Sequence, residues 1–418
     1  MTQIQPPQGA TAQQEPAPPH PRTSPESAGQ APQSPSTARL VGVDLARALA
    51  VFGMFIVHIG PSLSDTSGVG SGVRFLAEGH SSVLFATLAG FSLMLIAGRR
   101  EPKTGLAGRQ ARARIAIRAV ILLALGTALA MEFGGVIILG FYGVYFLVAL
   151  PLVRLSARTL AIIAAGLALV TPQLLFALPT VLSESVQESI NAHDPLKKLS
   201  DVGVLDLLFN GFYPTITWMS FVVAGMALAR LDLSAPAVQR RLAALGAVLV
   251  VGAYGLSLLL AGKDALKSMA EGGSSSSGSA ESFKDSGSGG EMFDLPMSQL
   301  LAAGPHSGTT FDIVGSVGVA ILVVVGLTVL IDRLPLLRRL AKPVVAVGTM
   351  SLTAYVGHFV LQPLLPPVPG ADTPGSWLPV LTFILGTIVF AAIWSRFFRR
   401  GPLEYLLNVA TKPAKYVR

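Results

Sequence analysis

Arg39-Leu-Val-Gly-Val-Asp44-Leu-Ala-Arg47-Ala-Leu-Ala-Val-Phe-Gly-Met-Phe-Ile-Val-His58 is long and apolar enough to cross a bilayer, yet it carries ionisable side chains within it. A transmembrane helix needs about 20 mostly apolar residues. Asp44, Arg47 and His58 follow one another at intervals of 3 and 11 positions. At about 3.6 residues per turn this gathers them on roughly one face, with Arg47 and His58 about 16 Å apart along the axis. Ionisable groups inside a membrane are costly unless they meet water or a partner, which makes the stripe a candidate functional surface. The competing reading of Arg47 is an interfacial anchor, with Asp44 as its local partner.

The rest of the chain follows the same pattern. Hydrophobic residues form 51% of the 418 positions and charged residues 13%, about half the charged share of a soluble globular chain. The apolar residues gather into runs at 40–60, 80–98, 115–131, 136–153, 159–178, 212–229, 242–261, 311–331, 344–363 and 377–395. The fold class expected is an all-α, polytopic membrane helix bundle with about ten transmembrane helices. A net charge of +8 and a pI near 9.9 could suit nucleic acid, but the basic residues sit at the ends of apolar runs, so no nucleic-acid partner is expected. In a ten-helix count, 25 of the 31 Lys and Arg fall on one side. Residues 99–118 carry the largest group, and the excess predicts that this side and both termini are cytoplasmic. There is no cysteine, which excludes disulfides, thiolate metal ligation and cysteine nucleophiles.

Residues 1–38 are rich in Pro, Gln, Ser and Ala and read as a disordered cytoplasmic tail. A membrane domain follows over 39–400, then a cytoplasmic segment over 401–418. The external stretch 262–310 includes serine and glycine runs between 272 and 290, a flexible composition that is assigned no chemistry. Only Glu132 to Gly135 separate the third and fourth apolar runs, which predicts a tight antiparallel hairpin.

His58, His80, His306 and His358 all fall at or near the outer ends of expected helices. His80 and His306 are further catalytic candidates, the first at a helix start, the second in the turn Pro305-His306-Ser307-Gly308-Thr309. Helix capping and turn formation are their structural alternatives. Tyr142, Trp218 and Tyr355 read as packing or interfacial aromatics, and Glu404 as the start of a short amphipathic segment. No phosphate loop, HExxH or metal-ligand spacing is present, so no metal is expected.

The Arg47, ten residues, His58 spacing resembles the first helix of the transmembrane acyltransferase superfamily, which includes the heparan-alpha-glucosaminide N-acetyltransferase family. Ser82-Val-Leu-Phe-Ala-Thr-Leu-Ala-Gly90-Phe-Ser92 is similar to the following helix of the latter. The turn 305–309, the stretch Gly348-Thr-Met-Ser351-Leu-Thr353-Ala-Tyr355 and the ending Gly401-Pro402-Leu403-Glu404 resemble a large, mostly uncharacterised bacterial group. The resemblance implies transfer of an acyl group, usually acetyl, from cytoplasmic acetyl-CoA or another acyl-CoA to a sugar, lipid-linked or cell-envelope acceptor at the outer face of the cell membrane. It implies Arg47, with Asp44 beside it, at the donor end and His58 at the reacting end. The catalytic histidine of the related animal enzymes aligns near Gly72, so its role is not carried over to His80. The partners expected are the lipid bilayer, acyl-CoA and a carbohydrate or lipid acceptor, with a homodimer left open. A transporter or lipid-linked flippase is the alternative, because a polar stripe could also surround a permeant substrate. No matching Gly/Pro-broken helices in the two halves support that alternative.

Overall fold

The computed structural model describes residue 2 and residues 41–274, 300–366 and 373–418, with only the backbone described at 179–181 and 263–274. The expected tail, apart from residue 2, and residues 275–299 of the expected external stretch 262–310 lie outside the described residues. The helices are α1 (Val41–Ile59), α2 (Gly68–Ala77), α3 (His80–Ala97), α4 (Gly105–Phe133), α5 (Ile138–Ala149), α6 (Ala157–Val181), α7 (Glu184–His193) and α8 (Pro195–Ser200). They continue as α9 (Thr215–Arg230), α10 (Pro236–Ser274, interrupted at Gly262), α11 (Thr310–Arg333), α12 (Pro335–Leu340), α13 (Lys342–Thr349), α14 (Ser351–Leu361), α15 (Leu378–Phe397) and α16 (Pro402–Ala410). The described residues contain no strand. Local sequence sets many of the ends. Ser156 and Thr309 cap α6 and α11 by accepting from the N–H groups of Thr159 and Asp312, while Pro335 and Pro402 occupy first helical positions, where a missing N–H costs nothing.

Among the described residues seven helices are long and apolar enough to cross a membrane, and α13 with α14 makes an eighth if the bent pair counts as one span. The expected fourth and sixth spans are apolar helices at Ile138–Arg154 and Thr215–Arg230 but fall short of that length. Of the apolar window in Gly68–Ala97, 72% is buried, against 11% in Leu378–Phe397. The second helix of the stripe's neighbourhood is therefore central, whereas α15 shows most of its surface to lipid. Close backbone contact holds the centre together: a Cβ added at Gly90 would lie 2.0 Å from the Val222 carbonyl oxygen, and one at Gly225 would lie 1.8 Å from that of Thr87. Small residues at such crossings let membrane helices gain dispersion contacts where no hydrophobic force drives them together. The expected hairpin of α4 and α5 is present, with Gly126 against the backbone of Gly140.

Hydrogen bonds sort the connections onto two ends. At one, Arg230 donates to the carbonyls of Leu155, Val153 and Arg99, Arg100 pairs with Asp232 at 3.0 Å, and Arg109 reaches the carbonyl of Arg418. At the other, Arg74 meets the end of α1, Tyr213 bonds Val136, and Gly79 abuts Pro305. The first is called the basic end below and the second the histidine end. The stretch 61–79, between the first two apolar runs, holds α2, whose Arg74 is wholly buried. The stretch 179–211 likewise forms α7, α8 and a π turn at Asp206–Asn210. The expected helix 344–363 is broken at Met350 and bent by 82°. Tertiary partners hold α2 and the bend: Arg74 donates to the carbonyls of Ile56 and Val57, and Glu404 accepts from the N–H groups of Leu352 and Thr353.

Candidate functional site at the two ends of the first helix

At the basic end Arg47 donates to Asp44 Oδ1 at 2.5 Å and to Ser92 Oγ at 2.9 Å. α13 presses directly on this turn, since a Cβ at Gly348 would lie 1.7 Å from the Asp44 carbonyl oxygen. Across the break, Glu404 of α16 accepts from the N–H groups of Leu352 and Thr353 at 2.7 and 3.1 Å and from the Thr353 hydroxyl at 2.6 Å. The carboxylate thus caps the free N-terminus that the kink creates, where negative charge is stabilised by the helix dipole. Arg47, Ser92, Arg118, Thr349 and Glu404 line a cavity of about 320 Å³. Its lining runs along α3 from Ile96 to Phe85, about 16 Å by helical rise. Tyr142 also lines it, and its buried hydroxyl has no hydrogen-bond partner among the described residues. Phe85 stacks on both Tyr142 and Tyr355, at centroid distances of 5.5 and 5.8 Å.

Tyr355 leads to the histidine end. Its carbonyl oxygen meets Nδ1 of His358, and Nε2 of His358 lies 2.8 Å from Nδ1 of His58, with the two rings nearly parallel. The carbonyl can only accept, so Nδ1 of His358 carries a proton. In the neutral pair Nε2 of His358 is then an acceptor, Nδ1 of His58 donates to it, and Nε2 of His58 is left with its lone pair. A fixed tautomer of this kind is what a second group does for a histidine base. Arg74 donates from Nη1 to the carbonyls of Ile56 and Val57 at 2.6 and 2.8 Å, closing α1 beside His58.

His80 does not cap its helix; its ring bonds the Glu78 carbonyl and the Tyr254 hydroxyl. His306 has a φ of 59°, a region that costs a side chain roughly 1 kcal/mol. The ring is held there against Trp218 at 5.9 Å and Tyr213 at 5.7 Å. Its Nδ1 is buried without a partner among the described residues, and burial together with nearby His80 pushes its pKa down to about 4. The sequence-derived candidates therefore form three groups: Asp44 with Arg47, His58 with His358, and His80 near His306. Among the described residues no three His, Asp or Glu side chains gather as a metal site.

Sequence reasoning named His358 only among the histidines at outer helix ends, did not give Arg74, Arg118 or Tyr142 a part in the chemistry, and read Glu404 only as part of an amphipathic segment. The signals were present for two of them. His358 follows the Ser351 to Tyr355 motif by three residues, one helical turn, and Glu404 closes the other quoted motif; their partners could not be read because they lie 300 and about 50 positions away.

An all-helical chain of this kind, with several membrane-crossing helices and polar sites at both ends of its first helix, is a multi-pass membrane protein. A family model described as heparan-alpha-glucosaminide N-acetyltransferase, catalytic, matches residues 39–262, more than half of the chain. The chain belongs to this family of membrane acetyltransferase domains. Residues 294–413 match a second model, described as protein of unknown function (DUF418). No curated protein matches the chain. The His58 to His358 bond and the Glu404 cap tie together or complete sites across or within these two matched regions, so each region holds only part of the arrangement.

Proposed function

We propose that the chain is an integral membrane acyltransferase that moves an acyl group, acetyl in the first instance, from acyl-CoA to a sugar, lipid-linked or cell-envelope acceptor. The observation carrying this reading is the His58 to His358 pair, which leaves an unprotonated ring nitrogen at the opposite end of α1 from an arginine-lined cavity. The donor supplies an activated thioester. Arg47 and Arg118 offer guanidinium charge for its phosphates, and the unpartnered Tyr142 hydroxyl is a donor suited to the thioester carbonyl. Nε2 of His58 takes the proton of the acceptor hydroxyl or amine as the new acyl bond forms and the thiolate leaves. Phe85, Tyr142 and Tyr355 separate cavity from histidine pair, so transfer requires this aromatic layer to part. A second, apolar cavity of about 630 Å³ begins at Ile59, beside His58, and runs between α14 and α15. It gives a lipid-linked acceptor room for its tail.

The orientation that completes the reading has ten crossings, the basic end and both termini in the cytoplasm, and the histidine end outside the cell membrane. The test is to incubate the purified protein with radiolabelled acetyl-CoA and cell-envelope fractions and identify what carries the label. A labelled envelope component supports the proposal. Absence of any acyl-CoA binding would overturn it and favour the transporter reading.

A further inference from the structure

A chain of proton-bearing groups at the histidine end plays no part in the mechanism above. His80 Nδ1 lies 3.2 Å from the Glu78 carbonyl oxygen, and its Nε2 lies 2.9 Å from the Tyr254 hydroxyl. That hydroxyl is 3.2 Å from Ser316 Oγ, which is 3.1 Å from Asp312 Oδ1. The groups come from α3, α10 and α11. Gly315 makes the arrangement fit, since a Cβ there would meet the Tyr254 ring at 2.6–2.9 Å. The bare backbone lets the ring lie against α11 with its hydroxyl between His80 and Ser316.

Counting protons shows what the chain of bonds can do. Four hydrogen bonds need four protons, and the Glu78 carbonyl cannot donate. Neutral His80, Tyr254, Ser316 and an ionised Asp312 supply three between them. One more proton completes the chain, and it can be placed in two ways. In the first, His80 is an imidazolium donating to Tyr254, Tyr254 donates to Ser316, and Ser316 donates to the Asp312 carboxylate. In the second, a protonated Asp312 donates to Ser316, Ser316 to Tyr254, and Tyr254 to a neutral His80. Passing from the second to the first moves the Asp312 proton to the Ser316 oxygen, the Ser316 proton to the Tyr254 oxygen, and the Tyr254 proton to Nε2 of His80. Only O–H and N–H bonds are exchanged, and the total charge is unchanged.

We propose that His80, Tyr254, Ser316 and Asp312 form a single-proton relay that stores an exchangeable proton at the histidine end. Both ring nitrogens of His80 are engaged, so His80 is a store and a positioning residue and does not itself attack or deprotonate a substrate. The charged and titratable groups facing the relay are Arg74 and Glu78 on the His80 side and His306 in the adjoining turn. At the other terminus Asp312 Oδ2 accepts from the Gly308 N–H at 3.2 Å, which joins the relay to the turn carrying His306. His306 has its open Nδ1 there, within electrostatic reach of both His80 and His58. The use of the stored proton in acyl transfer rests on the proposed function; the relay itself does not.

The test is an infrared pH titration of the purified full-length protein with isotope-labelled histidine, following the protonated-carboxyl band of Asp312, assigned by its loss in Asp312→Asn, and the ring bands of His80. In the native protein the two signals should change together, as one shared proton requires. Tyr254→Phe, and independently Ser316→Ala, which removes a single oxygen and leaves the tyrosine ring in place, should uncouple them and shift their midpoints apart by a pH unit or more. Native signals that titrate independently, or unchanged coupling in both folded variants, would overturn the relay. Because no acyl donor is involved, failure of the acyltransferase reading would appear separately, as absence of label transfer. If transfer is present, Tyr254→Phe should lower kcat about 10²-fold with KM unchanged, the low end of what proton transfer contributes; an unchanged kcat would sever the relay from the reaction.

Discussion

At the residue scale, the tautomer of His58 is set by a partner that no local pattern announces. His58→Ala should lower acyl transfer about 10²–10⁴-fold, the usual contribution of a positioned base, while donor binding persists because the cavity lies around Arg47. His358→Ala should lower kcat less, since His58 keeps its ring nitrogens and loses only its orientation. Transfer at the native rate by folded His58→Ala protein would remove it from the mechanism. Arg47→Ala should raise the donor KM, measured alongside thermal unfolding because the change also takes from Asp44 its 2.5 Å partner. His306 makes a pH prediction. Its folded pKa of about 4 lies below the ordinary 6.5, so between these values the unfolded chain binds a proton that the folded chain refuses. The stability this confers is present above about pH 6.5 and lost as pH falls toward 4. The unfolding temperature in detergent should fall over that window, and His306→Gln should flatten the slope.

At the element scale, the break between α13 and α14 is the feature on which the donor-end cavity depends. The kink exposes backbone N–H groups that a continuous helix would have satisfied, and Glu404 meets them from a separate helix. On the other side, Gly348 lets α13 touch the backbone of α1 at Asp44. Gly348→Ala should therefore cost about 1–3 kcal/mol, the range for forcing volume into a packed contact. It should also raise the donor KM, because the backbone that must yield carries Asp44 one turn from Arg47. Comparing unfolding and donor affinity in this variant checks both effects; native values of the two would mean that α1 and α13 can separate without cost.

Over the whole molecule, hydrogen bonds gather the connections of Arg99, Leu155, Arg230 and Arg418 at one end and those of Arg74, Val136 and Tyr213 at the other. The proposed orientation, with the basic end in the cytoplasm, rests on the placement of Lys and Arg. With no native cysteine, Lys103→Cys and Ser276→Cys can be probed with an impermeant thiol reagent on intact cells. Ser276→Cys should be labelled and Lys103→Cys protected; labelling at position 103 would reverse the orientation.

Residue order alone determined the membrane class, the all-helical fold, the positions of the apolar helices and the Arg47 to His58 stripe. Each depends on composition within one run of about 20 residues or on helical spacing, and both are local quantities. The family resemblance was legible for the same reason, since its motifs are short and continuous. The tertiary structure alone decided that α2 is a helix with a buried arginine, that the helix of Ser351 is a separate arm, and that Glu404 caps it. It also decided that His58 answers to His358, and that His80 reaches Asp312 through two hydroxyls. A buried polar group must find a partner wherever the fold brings one, and here the partners come from turns and helices 50 to 300 positions away. Bilayer physics makes the spans readable one at a time; the pairing of their few polar side chains is a property of how the spans pack.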